Sequence, residues 1–170
     1  MVLLLAGGRS RVQIDDTGYP AFVDALHTVC RELALGVVRG SEGATKLVAV
    51  TVTGARTIAE AKQTARAIAN SPLVKTAVHG GDPNWGRLVA VAGRAGVEFD
   101  LAHARVRIGE VELFGHGQVF ADREPAAAEH LSGSEVVIGV DVGTGGAGTA
   151  TVWTCDLSAE YVRINADYRT

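Results

Sequence analysis

The densest set of reactive side chains in this 170-residue chain lies between His79 and Arg87, where His79, Asp82, Asn84, Trp85 and Arg87 fall close together. Ser71-Pro72 and Asp82-Pro83 both read as helix openings, with a capping side chain followed by a proline whose missing N–H costs nothing there. The second opening puts the polar cluster at a helix N-terminus, where free N–H groups and the helix dipole favour an anionic guest. Glu42, between Ser41 and Gly43 at a helix–strand junction, is a second candidate: a loop carboxylate able to bind, or to pair with nearby Lys46. The third is the C-terminal run Asn165-Ala166-Asp167-Tyr168-Arg169-Thr170, which delivers an amide and a hydroxyl to a pocket if Tyr161, Val162, Ile164 and Tyr168 anchor it.

Local patterns supply no nucleophile with its base. His27, His79, His103, His116 and His130 are scattered, with no His-x-x-x-His pair to suggest zinc. Cys30 and Cys155 are far apart and lack metal-ligand spacing, so they read as buried thiols. A net charge of −3 argues against nucleic acid or an anionic membrane as the main partner. No run is long and apolar enough to cross a membrane, and Met1–Gly8 lacks the basic flank of a signal peptide, so the expected compartment is the cytoplasm.

The elements that must position these residues follow in order. Val2 to Ala6 is an apolar run entered without a turn or cap, as if a buried element had begun midway. After a polar loop, Phe22, Leu26, Val29, Leu33 and Val37 recur at helical spacing up to Gly40. Thr45 to Thr53 is a valine- and threonine-rich strand, and Thr57-Ile58-Ala59-Glu60 is a capping box opening a helix to about Asn70. The Ser71 and Asp82 helices come next, separated by Gly80-Gly81. The second carries many small residues, which calls for close packing. Arg105–Ile108 and Val111–Phe114 read as a hairpin turned by Gly109-Glu110, and Pro125–Leu131 as a short helix. Glu135–Val142 and Thr149–Leu157 are strands around a glycine-rich hairpin loop, and Ser158 caps a final turn. Length and order give one domain over residues 1–170, of mixed α/β (α+β) class with layered helices and sheet.

Two resemblances bear on function. Asp141-Val142-Gly143-Thr144-Gly145 resembles the first phosphate loop of the actin, sugar-kinase and heat-shock ATPase superfamily, in which the aspartate organises a metal. That motif opens a much longer chain there, whereas only 24 residues follow Gly146 here, so a phosphate-loop ATPase is the weakest of three readings. The second resemblance covers nearly the whole chain. Glu42-Gly43-Ala44-Thr45-Lys46, Ser71-Pro72-Leu73-Val74-Lys75-Thr76-Ala77, Asp82-Pro83-Asn84-Trp85-Gly86-Arg87 and the ending Asp156-Leu157-Ser158…Tyr161-Val162…Asn165…Tyr168…Thr170 resemble, in order, the bifunctional ornithine acetyltransferase (glutamate N-acetyltransferase) family of arginine biosynthesis. Val2 to Ala6 resembles a strand that the family enters from an upstream Asn-Asp-Thr.

The resemblance implies an N-terminal-nucleophile acetyltransferase fold and a precursor that cleaves itself before an internal threonine. That threonine takes acetyl from N-acetylornithine and passes it to glutamate, with its own α-amino group as base. The family holds it in Met-Ala-Thr-Met-Leu, but Met1 is the sole methionine here, so the sequence matches the C-terminal part of the family's β chain without its catalytic start. It is expected to be incomplete and inactive alone, and to need the α chain and the rest of the β chain in an α2β2 assembly. Glu42, Asn165 and Thr170 match the family's substrate-binding positions; Asp82, Asn84 and Arg87 are expected to be architecture near the site, since polar groups at a helix start often satisfy backbone instead. No resident cofactor or metal is implied, and acetyl-coenzyme A is an alternative co-substrate. The rival from another class is a non-catalytic amino-acid-binding or assembly module.

Overall fold

The structure is a computed structural model; it describes residues 3–5 and 7–167. Two compact units are present, Met1–Val37 and Val38–Thr170. The first contains most of helix α1 (Tyr19–Arg39), whose start is tied by Asp15: its carboxylate accepts from the amides of Thr17 and Gly18 at 3.1 and 2.9 Å. The helix forms as its spacing predicts, yet none of its residues is buried. Leu3, Leu4 and Leu5 are exposed and belong to no strand, while Val2 and Ala6 lie outside the described residues.

The second unit is a six-stranded sheet, with the helices between residues 58 and 131 packed on one face. In chain order it comprises β1 (Leu47–Ala55), α2 (Ile58–Ala69), α3 (Pro72–Gly80), α4 (Trp85–Gly93), β2 (Arg105–Ile108), β3 (Val111–Gly115), β4 (Gln118–Val119), α5 (Glu124–Leu131), β5 (Glu135–Asp141), β6 (Gly148–Cys155) and α6 (Ala159–Asp167). The strand order is β4-β3-β2-β5-β1-β6, with β1 and β5 parallel and the other pairs antiparallel. Period-two alternation sends Val48, Val50 and Val52 of β1, and Val136, Ile138 and Val140 of β5, into one core. There they meet Ala61, Ala65 and Ile68 of α2, Val74 and Val78 of α3, and Leu88, Val91 and Ala92 of α4. Small residues on α2 and α4 let the helix layer sit close to the strands. Trp85 closes the layer by stacking on Phe114, with ring centroids 5.1 Å apart.

Several sequence expectations change here. Residues 135–141 and 148–155 do not form a hairpin: β1 lies between them, and the glycine-rich loop crosses over the end of β1. A Cβ on Gly146 would lie 2.7 Å from Arg56 Cα, so the glycine serves close backbone approach to the β1–α2 connection. The Thr57–Glu60 capping box is formed as read. Asp82-Pro83, by contrast, does not open α4. Gly81 ends α3 at φ +71°, and the amide of Asp82 donates back to the Ala77 carbonyl at 2.9 Å. Asn84 is the N-cap instead. Ser71 stands at the N-cap of α3 with Pro72 behind it, but its hydroxyl is buried and makes no cap bond. Cys30 and Cys155 are partly exposed thiols rather than buried ones.

Candidate functional site

Glu42 sits at the tip of a tight turn. The amide of Ala44 donates to the Ser41 carbonyl at 3.0 Å, and Gly43 takes φ +67°, a conformation that favours glycine. The turn leaves Glu42 exposed. Gly43 also lies flat against the start of α6, where a Cβ would come within 2.7 Å of Tyr161 Cα. Ser158 joins the two: its hydroxyl donates to the Gly43 carbonyl and accepts from the Tyr161 amide at 3.0 Å, capping α6. Asn165 follows one turn later, its side-chain amide donating to the Tyr161 carbonyl at 2.9 Å. The Glu42 turn is thus docked on the helix that bears Asn165. Thr170 lies outside the described residues.

Beneath the turn is Asp156, 2% exposed. One carboxylate oxygen accepts from the amides of Thr45 and Lys46 at 2.8 and 2.9 Å. The other accepts from the Thr45 hydroxyl at 2.6 Å and meets His79 Nδ1 at 2.7 Å. Burial pushes this carboxyl up, but the bonds from Thr45, His79 and Lys46 outweigh it and hold the group below the usual aspartate range. Lys46 does not pair with Glu42. Its ammonium donates to the carbonyls of Val78, at 2.8 Å, and Leu131, at the C-terminal ends of α3 and α5 where the helix dipole favours a cation. A depression of about 150 Å³ opens beside these residues, lined by Arg39, Ala44, Thr45, Lys46, Leu47, Ser134 and Glu135.

The polar side chains at the start of α4 are engaged in contacts within the fold. The Asn84 side chain accepts from the Arg87 amide at 3.1 Å and donates to Asp82 at 3.1 Å. Arg87 donates to the Leu73 carbonyl at 2.7 Å, tying α4 to α3. The Asp141 loop is committed in the same way. Asp141 accepts from the Gly143 amide at 2.8 Å and the Thr53 hydroxyl at 3.2 Å, and Thr144 donates to the Gly54 carbonyl at 2.6 Å. Its threonine and aspartate are occupied by the fold itself. Among the described residues no cluster of histidine, cysteine and carboxylate side chains could hold a metal ion.

A mixed six-stranded sheet with a central parallel strand pair, and a carboxylate-bearing turn docked on α6, make up a layered α+β domain. The matching family model, described as the ArgJ family, covers residues 1–170, and the chain belongs to that family. It is 48% identical to the arginine biosynthesis bifunctional protein ArgJ of Ruegeria pomeroyi, over 99% of this chain and 41% of the relative. It is also 48% identical to the glutamate N-acetyltransferase of Methanopyrus kandleri, over 99% of this chain and 44% of the relative. The crystal structure of ArgJ from Bacillus halodurans superposes with a TM-score of 0.92 at 37% identity, over 99% of this chain and 80% of that one. The chain therefore spans less than half the length of these curated relatives.

Sequence reasoning found the Glu42 turn and the α6 cap but missed the Asp156–Thr45–His79 network. An acid at the end of a strand carries no local signal of partners far away in the chain.

Proposed function

We propose that this chain is the C-terminal, substrate-engaging part of the β chain of an acetyltransferase that moves acetyl from N-acetylornithine to glutamate. The nucleophilic threonine and the groups that stabilise the oxyanion come from the rest of the polypeptide. In this reaction the threonine hydroxyl attacks the N-acetyl carbonyl while the α-amino group accepts its proton. Ornithine leaves with its nitrogen reprotonated, and the glutamate amine then attacks the resulting ester. Glu42 meets an ammonium group of ornithine or glutamate, and Asn165 and Thr170 complete the grip. The observation that carries this reading is the exposed Glu42 carboxylate on a rigid turn, docked against the helix of Asn165, within a chain that matches ArgJ relatives end to end.

The other half of such an enzyme needs a place to dock. Parallel strands are ordinarily covered on both faces, whereas the face of β1 and β5 away from the helices is open, with Val137 46% exposed. We propose that the upstream chain covers it. The Bacillus halodurans chain is itself far shorter than the curated relatives, since this chain fills 80% of it but 41% of the Ruegeria pomeroyi protein. That difference supports a protein divided into two chains; we further propose an α2β2 assembly in the cytoplasm.

Glu42→Gln tests the reading in the reassembled enzyme, because it keeps the shape and removes the charge. One charge-assisted hydrogen bond contributes about 1.5–3 kcal/mol, so KM for ornithine or glutamate should rise about tenfold or more. Deleting Thr170 should act in the same direction, and Lys62→Gln, on an exposed face of α2, should not. Unchanged kinetics of both half-reactions in Glu42→Gln would remove Glu42 from the site.

A further inference from the structure

The segment Asp156-Leu157-Ser158 touches both sides of the proposed substrate grip. Asp156 holds the strand side of the Glu42 turn through the amides of Thr45 and Lys46 and the hydroxyl of Thr45. Ser158 holds the other side through the Gly43 carbonyl, and caps α6 with the same oxygen. Leu157, between them, donates its amide to the Lys75 carbonyl of α3 at 3.3 Å. Both polar side chains are nearly sealed, at 2% and 4% exposure.

The chemistry of these two side chains separates holding from binding. Two carboxylate oxygens offer about four acceptor positions, and Asp156 already meets four protein groups, so it has no capacity left for a ligand. Ser158 uses its proton on Gly43 and a lone pair on Tyr161. Apolar packing would fill the same space without burying a charge. What the charge adds is direction, because its bonds converge on Thr45 and Lys46 at the base of the turn that presents Glu42.

We infer that Asp156 and Ser158 are positioning residues: a clasp that fixes the Glu42 turn in register with the Asn165 helix before substrate arrives. This rests on the reading of Glu42 and Asn165 as substrate contacts. A grip held in place does not lose ordering entropy when substrate binds, so loosening it acts on substrate engagement rather than on the chemical step.

The test uses the complete enzyme, with KM and kcat for glutamate measured in Ser158→Ala, Glu42→Gln and the double variant. Amide hydrogen exchange is followed in residues 41–46 and 159–165. Ordering one backbone residue costs about 1–2 kcal/mol. Ser158→Ala should therefore raise KM about five- to thirtyfold, leave kcat within about twofold and speed exchange in both segments. Ser158→Thr, which keeps the hydroxyl, should restore KM. On the Glu42→Gln background, Ser158→Ala should add less than about twofold, because the two act through one contact. If Ser158→Ala fails to assemble, Thr45→Val removes one donor to Asp156 at nearly constant shape and carries the same expectation. An unchanged KM, or an equal rise on both backgrounds, overturns the clasp while Glu42 keeps its role. Glu42→Gln leaving KM unchanged while Ser158→Ala raises it refutes the Glu42 contact and this route with it.

Discussion

Asp156→Asn is the sharpest perturbation of this fold, because it is nearly isosteric and changes only what one oxygen can do. The amides of Thr45 and Lys46 keep an acceptor. The second position becomes an NH2 group facing the Thr45 hydroxyl and His79 Nδ1, both of which donate to a carboxylate there. The hydroxyl can rotate, and His79 must change tautomer or separate. Two bonds to a charged acceptor at about 1.5–3 kcal/mol each are weakened or lost, while removing a buried charge returns part of its desolvation cost. The net loss should be about 3 kcal/mol, or a fall of about 6–12 °C in melting temperature at about 2–4 °C per kcal/mol. Urea unfolding of the chain, followed by circular dichroism, measures it. The pH dependence gives a second check. Asp156 is held below its unfolded value, so its contribution is complete above about pH 4 and is lost as pH falls through the lower folded value. The difference between wild type and variant should be constant near neutrality and shrink below about pH 4. Asp15, Asp100 and Glu160 are also held low, but they titrate in both proteins and cancel. A loss under about 1 kcal/mol, less than one ordinary hydrogen bond, or a difference flat from acid to neutral pH, would refute the reasoning.

Other outcomes follow from the same geometry. Gly146→Ala should destabilise by about 2 kcal/mol or more, since its Cβ meets backbone rather than a movable side chain; an unchanged urea midpoint would show that the crossover loop yields. Lys46→Met keeps the stem but removes the donor to the Val78 and Leu131 carbonyls, and should cost about 1.5–3 kcal/mol in the same assay; a neutral result would mean that water replaces the ammonium. The chain by itself exposes Leu3, Leu4 and Leu5 and, on α1, Val29, Leu33 and Val37, and should self-associate or bind another polypeptide. A monomer that persists across concentrations in sedimentation would count against it.

Local signals were legible and long-range ones were not. The Thr57–Glu60 box works because both partners lie within one helical turn. Asp82, Pro83 and Asn84 were harder, since two of the three can cap a helix. The choice was made by the preceding Gly81, whose left-handed turn uses the Asp82 amide to close α3 and leaves Asn84 to start α4. The Ser71 hydroxyl misled because position alone does not show which way an oxygen points in a crowded junction. The glycine-rich loop misled for a different reason. Consecutive strands usually pair, yet β1 had already taken the place between β5 and β6, so the glycines of that loop answer to residues 55–57, some ninety positions earlier.

The same contrast explains the candidate site. The Glu42 turn is written in Ser41-Glu42-Gly43-Ala44, because a glycine in the third position of a tight turn is a local requirement. What gives the turn a fixed address is Asp156, more than a hundred residues away, and no spacing rule connects them. The lysine nearest in sequence, Lys46, suggested an ion pair with Glu42. Two helix C-termini converge on that ammonium and offer it carbonyls, so it turns inward and does not pair with Glu42. The fold's use of Lys46 at the ends of α3 and α5 leaves the Glu42 carboxylate exposed on a turn whose base Asp156 holds, and that exposure is what the Glu42→Gln variant probes.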